Sequence, residues 1–330
     1  MERFKKISGI VFRIAISIAL LAFLLTQVDK ESLFEVLRNA NKPFLFLAFF
    51  ILFFNYALCL FRWEMLLKTL NIHLPLKRVI MSFAGGHFFN LFMPSTIGGD
   101  LMRSIDLTLH TKKPKEVIAT IFLDRLSGYI GLVFLALMSL SVGWRLVRNP
   151  MILFCVAGIT GVLIIILLVL FNKKIYRIIN QLLHSPKAGK IRELIKNLHQ
   201  EIHFFQHHEK AVVTSLIFSI FIQAVIPLVY YVIALSLGLR LNIIYFFVFF
   251  PIIGVITLLP ISIGGLGLRD AATIFFFGTV GVSRDLAFAM SLVYVVFIMT
   301  YGAIGGLIYV LTIRHRRLQR HKTPSAHPHK

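Results

Sequence analysis

The chain of 330 residues is 58% hydrophobic and 15% charged, with a mean hydropathy of +0.83, a composition that excludes an ordinary soluble domain. Its formal net charge is +21 at pH 7. The Lys and Arg residues follow particular loops and do not accompany exposed stacking aromatics, so we expect no nucleic-acid partner. The composition predicts a single integral membrane domain over residues 1–330.

Six apolar stretches reach the length, about 20 residues, that a helix needs to cross a bilayer. The first is too long for a secretory signal and lacks a small-residue cleavage site, so we interpret it as a retained helix. Most Lys and Arg residues lie in loops on one side of these spans, and the positive-inside rule makes that side cytoplasmic. We expect a multi-pass protein of the cell membrane with both termini in the cytoplasm. The six predicted spans are 10–28, 43–62, 117–143, 150–171, 211–238 and 286–311.

The region after the second span does not cross the membrane completely. Arg62 and Trp63 end that span as a basic and aromatic pair typical of the membrane interface. Residues 79–110 are apolar enough to enter the membrane, yet the basic cluster at 112–115 belongs to the cytoplasmic side again. This pattern predicts a re-entrant helical hairpin over 79–110, within a first repeat over 43–143.

The following span, 117–143, contains a charged pair. Asp124 and Arg125 lie about two turns inside the predicted helix. Charges at that depth are costly unless they face a polar cavity or a partner, so we expect one or the other here.

The longest hydrophilic segment, 172–210, lies between the two halves of the chain. Its apolar residues recur at helical spacing with Lys, Arg and His opposite, which predicts two amphipathic helices on the cytoplasmic leaflet that bind anionic membrane lipids. His199, His203 and His207 repeat every four residues. No acidic or Cys partner has metal-site spacing, so we interpret them as a polar face and expect no metal.

The second half repeats the first in the opposite orientation. A repeat over 211–312 contains an apolar hairpin at 243–280 that enters from the outer side, so the chain predicts an inverted-topology repeat. Gly302 and Gly306 in the last span form a small face for close helix contact. The basic tail, 313–330, has no acidic residue and predicts a disordered cytoplasmic extension. The fold class is therefore an all-α polytopic membrane protein with about six full transmembrane helices and two re-entrant hairpins.

A short motif occurs once in each predicted hairpin. Paired glycines permit a chain reversal and a close backbone approach, and an Arg beyond them supplies a fixed cation for a phosphate or a carboxylate. Interrupted segments at corresponding places of two halves indicate a transporter's substrate site. The alternative is two tight turns whose Arg residues extend to lipid headgroups. The matching residues are Pro94, Ile97, Gly98, Gly99 and Arg103 in the first copy, and Pro260, Ile263, Gly264, Gly265 and Arg269 in the second.

Together with Gly85, Gly86, Asn90, Asp100, Asp124, Arg125, Leu259, Gly267 and Asp270, these motifs resemble the lysylphosphatidylglycerol synthase transmembrane-region family, also called flippase-like. The resemblance covers nearly the whole chain and implies a membrane protein concerned with lipids, whose best-known relatives move an aminoacylated phospholipid between leaflets. Those relatives carry a soluble synthetase domain, which we do not expect after the last span here. Asp100 and Asp270 stand where much of the family has Glu.

We expect a flippase-like protein that binds and translocates an anionic or phosphate-bearing lipid. The alternatives are a transferase acting on phosphatidylglycerol or a polyprenyl-phosphate lipid, with Asp100 or Asp124 as general base, and a lipid-binding partner of a separate lipid-modifying enzyme. No P-loop is present, so we expect no nucleotide cofactor. The candidate substrate-binding residues are Arg103, Arg269, Asp100, Asp124, Arg125, Asp270, Asn90, Gly98, Gly99, Gly264 and Gly265.

Overall fold

The computed structural model describes residues 2–93, 97–143, 145, 150–171, 208–258 and 261–322. This part of the chain is all-helical, as the sequence predicted. Its helices are α1 (Glu2–Gln27), α2 (Lys30–Arg38), α3 (Lys42–Thr69), α4 (Leu76–Asn90), α5 (Ile97–Thr111), α6 (Pro114–Gly143), α7 (Pro150–Phe171), α8 (Glu209–Ser236), α9 (Ile243–Leu258), α10 (Leu268–Gly278) and α11 (Arg284–Lys322).

Five helices within the described ranges are long and apolar enough to cross a membrane, namely α3, α6, α7, α8 and α11. They confirm a polytopic α-helical membrane protein. The predicted span 10–28 coincides with α1, whose side chains are described only from Ala15, so a sixth full span stays a prediction.

Besides α2 with its nine residues, four of the described helices are too short to cross. Helices α4 and α5 have 15 residues each, α9 has 16 and α10 has 11. At 1.5 Å per residue they extend no more than about 24 Å, less than a hydrocarbon core of about 30 Å. Their bounds agree closely with the hairpins expected at 79–110 and 243–280.

The two halves have the same order of elements. Helices α3 to α6 run long, short, short, long, and α8 to α11 do the same. Each half also packs on the other in a matching way, since α4 contacts α11, α6 contacts α9, and α3 contacts α8. Such an exchange of partners is what a two-fold relation between the halves would produce.

The glycines of α11 allow its close packing on α4. A Cβ on Gly302 would collide with Leu91, and a Cβ on Gly306 would collide with Phe88. The prediction that Gly302 and Gly306 form a close-contact face is therefore confirmed.

The tail prediction is wrong for its first ten residues, because α11 continues to Lys322. Residues 313–322 contain no Gly or Pro, and their four Arg residues, with one Leu, one Gln and one Lys, favour helix. Residues 172–207, including the three histidines, lie outside the described residues, so the amphipathic insertion stays a prediction.

Candidate functional site

The first motif begins α5 and does not form a turn at its glycines. Gly98 and Gly99 lie in the first helical turn of α5, so the expected chain reversal at this pair is wrong. The expected close approach is present, because a Cβ on Gly99 would collide with the carbonyl oxygen of Gly86 on α4. The Gly99 N–H donates a hydrogen bond of 2.8 Å to Asn90 Oδ1 at the end of α4. Asn90 and Gly99 thus join α4 to α5.

The second motif does form a reversal. Gly264 and Gly265 have φ angles of 58° and 79°, a left-handed conformation that favours glycine. Arg269 folds back over this loop and donates from Nη2 to the Gly264 carbonyl oxygen at 2.9 Å. Ser17 on α1 supports the loop, since its Oγ accepts the Ile263 N–H at 2.9 Å.

Asp270 holds the start of α10 and is buried. One carboxylate oxygen accepts the Gly267 N–H at 2.8 Å, and the other accepts the Ser291 hydroxyl. Asp270 therefore joins α10 to α11.

A chain of alternating charges connects α3, α5 and α6. Arg62 Nε lies 2.9 Å from Asp124 Oδ1, and Arg103 Nη2 lies 3.7 Å from Asp124 Oδ2. Arg103 Nη1 lies 3.3 Å from Asp100 Oδ1, and Arg125 Nε lies 2.5 Å from Asp100 Oδ2. Three cations and two anions leave one positive charge in excess. The sequence expectation that Asp124 and Arg125 need partners is confirmed.

Arg62 and Trp63 do not face lipid headgroups as a membrane-interface pair would, because both are buried in the helix bundle. Their exposed fractions are 6% and 0%. Arg62 enters the charge network, and the Arg103 guanidinium lies over the Trp63 ring, 3.9 Å from its centroid. The interior acid Asp124 draws Arg62 inward, since an acid at that depth requires a cation.

A polar seam between α6 and α8 adjoins the network. Arg62 Nη1 donates to Ser219 Oγ at 2.6 Å, and Gln223 Nε2 donates to the Gly128 carbonyl oxygen at 2.9 Å. Ser215 Oγ donates to Ser127 Oγ at 3.0 Å. These bonds hold polar side chains inside an otherwise apolar helix pair.

Two polar cavities lie next to this network. The larger has a volume of about 320 Å³ and the smaller about 240 Å³. Arg125 of α6 and Arg269 of α10 line both cavities. Each half of the chain thus contributes one arginine to the two cavities. The larger cavity also has Gln223, Tyr230, Thr257 and Tyr294 in its wall, and the smaller has Tyr56, His87 and Asn90.

The structure thus separates the candidate residues into groups. Arg125, Arg269, Asn90 and Gly264 line a cavity. The remaining candidates lie behind the cavity walls: Arg103, Asp100 and Asp124 in the charge network, and Gly98, Gly99, Gly265 and Asp270 at helix starts or turns. Their role in binding a ligand stays a prediction.

The sequence analysis missed several polar residues of the cavity walls. Tyr294 lies beneath Arg269, whose guanidinium is 5.4 Å from the ring centroid, and His87 packs edge-on against Tyr56. Gln223 was visible as a lone amide inside a predicted span, and His87 as one of two imidazoles inside a predicted hairpin. Tyr294 gave no signal, because tyrosine is common in apolar helices.

Within the ranges given above, no three His, Cys, Asp or Glu side chains come together as a metal-binding group. The acids of the cavity region are instead occupied by guanidinium groups, backbone N–H groups and a hydroxyl.

Comparison with known proteins agrees with the lipid-related resemblance. The sequence matches the family described as "Lysylphosphatidylglycerol synthase TM region" over residues 10–306. It is similar to a UPF0104 membrane protein of Pyrococcus horikoshii, 22% identical over 302 residues that cover 84% of this chain and 90% of that protein. A UPF0104 membrane protein of Methanothermobacter thermautotrophicus is 24% identical over 306 residues, which cover 85% of this chain and 88% of that protein. Because the family match extends over most of its length, the chain belongs to the lysylphosphatidylglycerol synthase transmembrane-region family.

Proposed function

We propose that this protein binds a lipid with an anionic, phosphate-bearing headgroup and moves it between the leaflets of the cell membrane. The observation that carries the proposal is the shared lining of the two polar cavities. Arg125 and Arg269 come from different halves of the chain, yet both face both cavities. A headgroup between them would contact both halves at once.

Arg269 is the stronger ligand contact of the two. Among the described residues, no acidic side chain lies within ion-pair distance of its guanidinium, which donates to a backbone carbonyl and faces Tyr294. An uncompensated cation inside a membrane protein is costly, and a phosphate would remove that cost with charge-assisted hydrogen bonds. Arg125 supplies a second guanidinium that Asp100 holds in place.

Translocation is supported by the arrangement around these residues. The short helix pairs α4–α5 and α9–α10 fit two re-entrant hairpins, and the exchange of contacts between the halves fits an inverted-topology repeat. In our proposal the two cavities form one path with the arginines at its middle. The headgroup passes from one cavity to the other while the hydrocarbon chains stay in the bilayer. The name of the family, after a synthase of an aminoacylated lipid, also supports a lipid ligand.

The transferase alternative is less well supported. A general base needs an available carboxylate oxygen. Asp100 contacts Arg103 and Arg125, while Asp124 contacts Arg62 and Arg103, so each of the four carboxylate oxygens faces a guanidinium group.

The proposed function is tested by reconstitution in liposomes with headgroup-labelled lipids, measuring movement between leaflets and, by mass spectrometry, chemical conversion. We expect movement of labelled phosphatidylglycerol without conversion, and little movement of labelled phosphatidylcholine. Arg269→Gln should abolish the movement, whereas Arg240→Lys, in an exposed loop after α8, should leave it unchanged. Conversion of the lipid, or equal movement with Arg269→Gln, would contradict the proposal.

The proposed orientation has its own test. With both termini in the cytoplasm and two re-entrant hairpins, residues 281–285 face the outside and 112–115 the cytoplasm. Single cysteines placed in these loops, in a chain lacking Cys59 and Cys155, should react with an impermeant maleimide outside whole cells only at 281–285. The reverse labelling would refute the inverted repeat.

A further inference from the structure

The lining of the smaller cavity divides into a charged and polar group of residues and an apolar group. Its charged and polar lining comes from Arg125, Arg269, His87 and Asn90. The remaining wall includes Leu91 at the end of α4 and, on α11, the residues Val295, Ile298, Met299 and Gly302. A cavity with this division matches a molecule that is itself charged at one end and apolar at the other.

Met299 belongs to the apolar lining and also lies on the outer surface of the helix bundle. Its exposed fraction is 46%, although it lines the cavity. The spanning part of α11 runs from Arg284 to Thr312, so Met299 lies about 22 Å from one end and about 20 Å from the other at 1.5 Å per residue. The cavity therefore reaches the surface near the middle of a membrane-spanning helix.

We propose that the smaller cavity opens sideways into the bilayer at Met299, about one helical turn from the close contact of Leu91 with Gly302, and that the hydrocarbon chains of the bound lipid lie there against Met299. This opening is called the Met299 portal. The inference rests on the proposed function and adds to it the route of entry and the class of ligand, an amphiphile and not a soluble anion.

The size of the cavity supports this assignment. A volume of about 240 Å³ is below the range of roughly 300–1,000 Å³ that encloses a drug-sized ligand. The space suits a headgroup, while the chains of a whole lipid must remain outside it. Met299 suits the rim of such an opening, because its flexible thioether side chain adapts to different apolar partners.

The depth of the portal excludes a soluble ion as the molecule that enters there. The hydrocarbon core presents no polar group to a phosphate ion, and a bare charge at the bilayer centre is costly. A lipid avoids that cost by leaving its chains in the core while its headgroup reaches Arg125 and Arg269.

The portal is tested by photo-crosslinking with a benzophenone side chain in place of Met299. The matched control carries the same group at Val296, which lies on the same helix with an exposed fraction of 52% and lines neither polar cavity. The full chain is reconstituted in phosphatidylcholine vesicles that contain a minor, radiolabelled fraction of either phosphatidylglycerol or phosphatidylcholine. The ratio of crosslinking to the two labelled lipids is measured at each position.

We expect this ratio to be about tenfold higher at 299 than at 296. Both lipids carry a phosphate, but the trimethylammonium group of phosphatidylcholine repels the guanidinium groups, whereas phosphatidylglycerol carries no cation. Arg269→Gln should reduce the ratio at 299 to that at 296. Equal enrichment at both positions would show general attraction of anionic lipid to a basic protein and would overturn the portal. No enrichment at 299, with Arg269-dependent lipid movement retained, would overturn the portal and leave the proposed function standing. If Arg269→Gln does not change lipid movement by the full chain, both the portal and the proposed function are overturned.

Discussion

Leu266 occupies the place in the second motif that Asp100 occupies in the first, three residues before the motif's arginine. Leu266 and Arg269 line the same cavity, so an aspartate at 266 would face the guanidinium. We expect Leu266→Asp to give Arg269 the acidic partner that Arg103 already has, and thereby to block the anionic ligand.

The magnitude follows from the first motif. Asp100 and Arg103 approach to 3.3 Å, which at an effective dielectric constant of 20 corresponds to about 5 kcal/mol of attraction before desolvation. If about half of this attraction remains after desolvation, a phosphate that competes with the aspartate for Arg269 loses roughly 100-fold in affinity. The stability cost should be small, about 1 kcal/mol, because Leu266 is only partly buried.

The assay compares Leu266→Asp with Leu266→Asn, which has the same shape without the charge. Both variants should have thermal midpoints close to that of the parent protein in detergent. Movement of labelled phosphatidylglycerol in liposomes should persist in Leu266→Asn and be lost in Leu266→Asp. Equal movement in both variants would refute the assignment of Arg269 as the anion-binding group.

Three further substitutions or fragments test other parts of the structure. Asp124→Asn removes the anion shared by Arg62 and Arg103. It should lower the free energy of unfolding by on the order of 3–5 kcal/mol, and with it the thermal midpoint. The control Glu64→Gln, in an i,i+4 pair with Lys68, should lower it by less than about 1 kcal/mol. Gly99→Ala places a methyl group against a backbone carbonyl of α4 and should reduce the yield of folded protein, as measured by size-exclusion chromatography. A peptide of residues 173–210 should become helical, by circular dichroism, on anionic vesicles and not on neutral ones, and salt should weaken the effect.

Apolar length was sufficient to predict the five spans α3, α6, α7, α8 and α11. A helix must cover a fixed hydrocarbon thickness, so residue counts alone distinguish crossing segments such as α3 from short ones such as α4. The glycine and proline pattern predicted the interruptions between α4 and α5 and between α9 and α10, since interrupted helices are tolerated only where protein or water satisfies the backbone. That these helix pairs are re-entrant hairpins stays a prediction.

The partners of individual charges could not be predicted in the same way. Arg62 was assigned to the membrane interface because of its neighbour Trp63, and only the fold brings it to Asp124, 62 positions later in the chain. Likewise, identical glycine pairs gave a helical turn at Gly98 and a left-handed loop at Gly264. Local sequence sets what a segment permits, whereas tertiary contacts decide which conformation it takes.

Under the proposed function, the two motif copies have different roles. In the first copy, Asp100 and Asp124 bind Arg103, so that arginine stabilises the helix packing beneath Trp63. In the second copy, Leu266 stands in the place of the acid, so Arg269 keeps a charge that no described acidic side chain balances by direct contact. The paired copy therefore holds Arg125 through Asp100, and the copy without the acid leaves its cation for the ligand that we propose.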